Sequence, residues 1–126
     1  MATPISIPFV SFKNIVVTVT EKNGQLQPHC VERIGCSSPD TILNFQIAER
    51  AGEHHDYRFD KPQLSGDVTQ FGAFTISPSG KMLTVCNSTS DQGIINITLE
   101  VYDSKAPHKR GAFDPEVANQ PDGSAR

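Results

Sequence analysis

Between Gly93 and Asp103 apolar and polar residues alternate without a break. Ile95, Ile97, Leu99 and Val101 fall on one parity, and Asn96, Thr98, Glu100 and Tyr102 on the other. A period of two places successive side chains on opposite faces of an extended chain, so this segment is a strand with one dry face and one wet face. A lone strand cannot bury its dry face. The feature therefore demands further strands that can close over a shared interior.

The rest of the chain supplies them. Residues 9–20 read as a strand in which Ile15, Val17 and Val19 share one face and Val16, Thr18 and Thr20 the other, and it ends at Asn23-Gly24, a dipeptide suited to a tight hairpin. The chain resumes at Leu26 toward Ile34. Residues 71–77 and 81–86 form a second hairpin around Ser77-Pro78-Ser79-Gly80, and a shorter piece over 55–59 puts Tyr57 and Phe59 on one side. Residues 41–50 are contested. Ser38, Pro39, Asp40 and Gly52 stand where helix punctuation would stand, but Leu43, Phe45 and Ile47 alternate cleanly and make no helical stripe, which favours a strand. About seven short strands with turn residues between them predict an all-β, two-layer antiparallel sandwich. From Ser104 the hydrophobic pattern fades. The expected division is a sandwich over residues 1–103 and an extended polar C-terminal arm or tail over 104–126, with a last edge strand or ordered arm near 111–119 and a frayed end.

Bulk properties limit the function classes. The chain of 126 residues is long enough for one hydrophobic core, and with 37% hydrophobic and 20% charged residues it has globular composition. A formal charge of −3 and a pI near 5.7 provide no general attraction for nucleic acid or an anionic membrane. The one basic cluster, His108-Lys109-Arg110, reads as a solvated linker. No stretch approaches the roughly 18 apolar residues of a membrane helix, and the first twelve residues carry no Lys or Arg and contain Pro4 and Pro8, so no secretory signal is visible and a cytoplasmic location is expected. Three cysteines, Cys30, Cys36 and Cys86, are an odd number and read as reduced, small buried hydrophobes. Asn87-Ser88-Thr89 and Asn96-Ile97-Thr98 match the glycosylation pattern, which matters only in a secreted protein.

Over residues 81–101, Leu83-Thr84-Val85 is followed by Asp91-Gln92-Gly93 and then by alternating Ile95, Ile97 and Leu99. This resembles the segment that joins two late strands of immunoglobulin-like domains, and the resemblance implies an immunoglobulin-like or related Greek-key sandwich. The chain departs from the antibody type: Ile95 stands where a corner tyrosine is expected, Ile97 where the second cysteine is expected, and Trp is missing.

Residues able to carry chemistry are few. Glu53-His54-His55-Asp56, followed by Arg58 and Asp60, is the densest polar cluster, and His54, His55 and Asp56 are the candidate metal ligands. On a strand, however, His54 and Asp56 face one way and Glu53 and His55 the other, so at most two converge. Cys30, Cys36 and Cys86 lack the paired spacing of a structural zinc site, and neither a nucleophile elbow nor a phosphate-binding glycine loop is present. No cofactor is expected. The reading favoured is a non-enzymatic binding or assembly module, acting through sandwich loops, a strand edge or the C-terminal arm on a protein partner or on copies of itself. If the arm over 111–121 adds to a neighbour's sheet, deleting residues 105–126 shifts oligomer to monomer. The alternatives are a small metal-dependent hydrolase at the His/Asp cluster and a small-ligand or carbohydrate-binding domain, the last weakened by the shortage of aromatic rings.

Overall fold

The computed structural model describes Pro4 and residues 11–121. These form an all-β sandwich of two packed sheets, with eleven strands where the sequence predicts about seven. Among the described residues no helix is long and apolar enough to cross a membrane. The predicted start of the first strand at Phe9 and the frayed end beyond residue 121 lie outside the described residues.

β1 (Ser11–Lys22) and β2 (Gln25–His29) make the predicted hairpin. Asn23 and Gly24 both sit at positive φ, 53° and 76°, the two-residue turn whose twist matches the strands it joins. β3 (Arg33–Cys36) follows, then β4 (Thr41–Ile47). The contested segment is thus a strand: Thr41, Leu43, Phe45 and Ile47 are buried in alternation. Its helix punctuation serves other ends, since Asp40 adopts a left-handed φ of 55° and the Thr41 hydroxyl donates to the Ser38 carbonyl at 3.0 Å. β5 (Tyr57–Phe59), β6 (Gln63–Gly66), β7 (Phe71–Ile76), β8 (Met82–Asn87), β9 (Gly93–Asp103), β10 (Ala106–Phe113) and β11 (Glu116–Asn119) complete the series.

The first sheet runs β2-β1-β4-β8-β7. In the second, β9 is the centre. After a register shift between Ala106 and Arg110, β10 and β11 share one register along one of its edges, Phe113 opposite Leu99 and Glu116 opposite Asn96, while β5 and β6 take the other edge, and β3 lies beyond β11. The sheets are mixed where antiparallel ones were predicted: β1 pairs with β4 in parallel, and β3 with β11 in parallel. The cause is one crossing. The stretch predicted to run on from Leu26 to Ile34 leaves the first sheet after β2 and enters the second as β3, so β1 and β4 are joined by a crossover, which parallel neighbours require. The turn at Asp91-Gln92-Gly93 likewise carries the chain from β8 in one sheet to β9 in the other.

Residues 104–121, set apart in the sequence as a polar arm, enter the second sheet as β10 and β11, and Val117 and Asn119 are completely buried. The basic cluster in β10 is likewise no linker. Lys109 pairs with Glu21 at 2.6 Å, and Arg110 pairs with Asp60 and lies 5.4 Å from the centre of the Tyr102 ring. Between the sheets Ile15, Val17, Leu43, Phe45, Leu83 and Val85 meet Ile34, Tyr57, Phe59, Ile95, Ile97, Leu99, Val101 and Val117. Each such side chain contributes about 1.5–3 kcal/mol on burial, and together they outweigh the cost of the polar groups enclosed with them.

Three of those polar groups, Gln70, Asn87 and Asn119, form one network. Asn87 donates to the Asn119 side-chain oxygen at 2.7 Å, and Asn119 donates back at 3.0 Å and to the Gln70 oxygen at 3.1 Å. Gln70, buried beside the 3-10 turn Val68–Gln70, donates to Asp67 at 3.2 Å and accepts the Asp91 backbone N–H at 3.0 Å. The burial of Asn87 also makes the first sequon unsuitable for a glycan.

Candidate functional site

Of the sequence-predicted ligands, Asp56 is the best anchored. Its carboxylate accepts two bonds from Arg58, at 3.0 and 2.8 Å, one from Lys81 at 2.7 Å and one from the Ser104 hydroxyl, while its backbone N–H donates to Asp103 at 3.1 Å. Lys81 also reaches Glu49 and the Tyr57 carbonyl. Asp56 thus ties β5, the β7–β8 turn and the β9–β10 turn together at one end of the sandwich. His55 lies two residues before β5. It stacks on Tyr57, ring centres 3.8 Å apart, and pairs with Glu53 beside a cavity of about 460 Å³ that Glu49, Arg50 and Thr20 help to line. His54 is exposed. The three side chains diverge, and among the described residues no three of His, Cys, Asp and Glu are grouped as a metal would need.

Hydrogen bonds from Lys81, then Ser104 and Arg58, hold the Asp56 carboxyl well below the ordinary carboxylate range. Asp60 is lowered by the Lys61 backbone N–H and by Arg110. Asp103 is pushed up by burial but lowered overall by the backbone N–H groups of Asp56 and Lys105. A carboxyl depressed by folding contributes stability that is complete above its unfolded pKa, about 4, and is lost as pH falls through the folded value. We expect unfolding free energy, measured by urea titration at a series of pH values, to hold steady at neutral pH and to decline below about pH 4. Asp56→Asn should flatten that decline and cost about 1–2 kcal/mol at pH 7. An unchanged acid slope would remove Asp56 from this role.

Burial defines two of the cysteines. Cys30 and Cys36 are buried as expected, and desolvation pushes the Cys30 thiol up to about 11 and raises that of Cys36. Cys86, by contrast, is exposed on the outer face of β8, because it has the opposite parity to Leu83 and Val85.

The crossing from β2 to β3 creates the feature with the clearest capacity to bind. β2 covers the edge of β1 only from Thr18 to Lys22, and β4 covers the opposite edge from Ser11 to Val17. Among the described residues, the first edge has no strand partner along residues 11–17. Its bonding groups can be assigned. The Val17 carbonyl accepts the Ala48 N–H at 2.9 Å, so Val17 faces β4, and strand alternation turns the N–H and C=O of Phe12, Asn14 and Val16 toward the open side. Phe12 is 68% exposed and Val16 56%. Across a groove of about 620 Å³ lies the outer edge of β3, with Val31, Arg33, Ile34 and Gly35 facing Lys13, Asn14, Ile15 and Val16.

The other edges are better guarded. β7 carries a bulge between Phe71 and Phe74. β5 and β6 are interrupted at Asp60 to Pro62, β3 is only four residues long, and the outer side of β10 meets β2 so closely that Gly111 has no room for a Cβ. Bulges, short strands and coverage are the usual protections of a sheet edge. β1 from 11 to 17 has one, the single charge of Lys13. Alternation revealed the strand, but nothing local in the sequence revealed the open edge, which exists only because β2 departs for the other sheet.

Comparison with models of known protein families and with curated proteins finds no match.

Proposed function

We propose that the protein is a non-enzymatic binding or assembly module that takes up an extended segment along the open edge of β1. One observation carries this reading: Phe12, Asn14 and Val16 turn their backbone N–H and C=O groups toward an edge that no strand covers among the described residues. Adding a strand satisfies those groups, and the flanking side chains set specificity. The apolar exposure of Phe12, Val16 and Val31 supports it, because apolar area gathered beside an open ladder gains from being covered. Within the C-terminal arm, Ala106–Phe113 and Glu116–Asn119 are already engaged in β10 and β11, which favours the β1 edge over them.

The hydrolase reading finds less support, since Asp56 is saturated by Lys81, Arg58 and Ser104 while His55 pairs with Glu53 and stacks on Tyr57. Amide exchange followed by NMR tests the proposal. In dilute protein the N–H groups of Phe12, Asn14 and Val16 should exchange much faster than those of Lys13 and Ile15. Titration with short extended peptides alternating Val and Thr, or with the protein's own 11–17 sequence, should slow the first set selectively. Perturbation confined to Glu53, His55 and Tyr57 would place the binding site elsewhere.

A further inference from the structure

We propose that the strand received by the β1 edge is the same edge of a second copy of this chain, related by a two-fold axis through Asn14. The inference rests on the strand-edge reading above and specifies its partner. In an antiparallel pairing centred on Asn14, Phe12 lies opposite Val16 of the second copy, Asn14 opposite Asn14, and Val16 opposite Phe12. All three pairs place edge-facing backbone groups opposite one another, so each exchanges both of its N–H···O bonds. Shifting the register by one residue aims these groups at residues whose own bonds are committed to β4. A shift of two sets Phe12 opposite Asn14 and leaves one end of the ladder unpaired.

The side chains are complementary in the same register. On the outer face each exposed Phe12 meets an exposed Val16, an aromatic and β-branched combination that favours cross-strand contact, and the two Asn14 amides can bond each other. On the inner face Lys13 lies opposite Ile15, so no two like charges are directly opposed. One patch thereby matches itself, as a two-fold interface requires. The incoming strand occupies the line that β2 vacates, and β2 itself limits its length, because Thr18 is already paired with His29. Lys13 and Arg33 are the charges facing the groove. Their common sign makes Lys13 the brake on association and makes an acid-flanked extended peptide the competing occupant.

Light scattering over a dilution series, with crosslinking, tests the proposal. The protein should pass from monomer to dimer as concentration rises. Asn14→Cys, made with Cys86→Ser to remove the exposed thiol, should give a covalent dimer on mild oxidation that reductant reverses. Val16→Pro, which removes an edge donor without touching the bonds to β4, should weaken association by about tenfold or more, and Phe12→Thr, a milder change that keeps the strand, should weaken it in the same direction. Lys13→Thr should strengthen it. A protein that stays monomeric at every concentration, with no Asn14→Cys crosslink, overturns self-pairing. If the amides of Phe12, Asn14 and Val16 then become protected by an added peptide, acid-flanked or not, the strand-edge reading survives with a different partner. If no peptide protects them, that reading falls as well.

Discussion

Gly111→Ala is expected to destabilise the protein by about 3 kcal/mol. A Cβ at this position would overlap the Leu26 carbonyl oxygen and lie 2.6 Å from its carbonyl carbon and 3.0 Å from the Pro28 ring. Two of these atoms are backbone, so no side-chain rotation relieves the clash, and β2 would have to move away from β10. That movement would disturb the hairpin that holds β1 and the crossing that sends the chain to the second sheet. Gly93→Ala is the matched control. Nothing lies within 4 Å of a Cβ there, and β9 is extended, so the change should be neutral or add about 0.4–1 kcal/mol through a less flexible unfolded chain. Urea midpoints of the two variants read the contrast directly. Equal midpoints would mean that β2 and β10 are not in close contact.

Gly111 also illustrates where the sequence is silent. The alternating runs in β1, β4, β8 and β9 are legible because each has one face in the core and one outside, so residue type follows parity. β10 carries no such contrast: His108, Lys109 and Arg110 are polar, and a glycine sits where two backbones touch. Its place is set by pairing with β9 and by the ion pairs to Glu21 and Asp60, which join residues far apart in sequence. The arm was therefore readable as extended but not as internal. The switch of sheets after β2 was hidden for a similar reason. Leu26, Pro28 and Cys30 keep one buried parity up to the crossing, and Ile34 and Cys36 resume it in the second sheet, so the pattern is that of a single strand.

The candidate sites divide along the same line. His54, His55 and Asp56 attract notice because their side chains are chemically distinctive, yet His54 is exposed, His55 is engaged by Glu53 and Tyr57, and ion pairing consumes the aspartate. The edge of β1 attracts none, since the binding capacity proposed for it resides in backbone groups that every residue possesses. What distinguishes Phe12, Asn14 and Val16 is the absence of a neighbouring strand along their side among the described residues, a property of topology and not of composition.

Asn119→Ala should cost about 3 kcal/mol, a large loss for an uncharged residue only a few positions from the end of the chain. Asn119 is fully buried in β11 and exchanges two side-chain hydrogen bonds with Asn87, which is equally buried in β8 of the opposite sheet. Removing the Asn119 amide leaves the Asn87 amide nitrogen without its acceptor in a dry interior, and an unsatisfied buried group costs about 1–3 kcal/mol in addition to the small cavity. The oxygens of Asn87 and Gln70 lose less, because the Thr89 and Asp91 backbone N–H groups still reach them at 3.2 and 3.0 Å. Asn87→Ala should also destabilise, for a different reason: it leaves the Asn119 side-chain oxygen without its donor and the Thr89 N–H without its acceptor, while the Asn119 nitrogen still reaches Gln70. The decisive measurement is the double variant: with both amides gone neither asparagine is left facing a missing partner, so its loss should fall short of the sum of the single losses by about 1–2 kcal/mol. Strict additivity in urea denaturation would show that the two asparagines act independently. The bonds between Asn87 and Asn119 would then have no part in joining the two sheets.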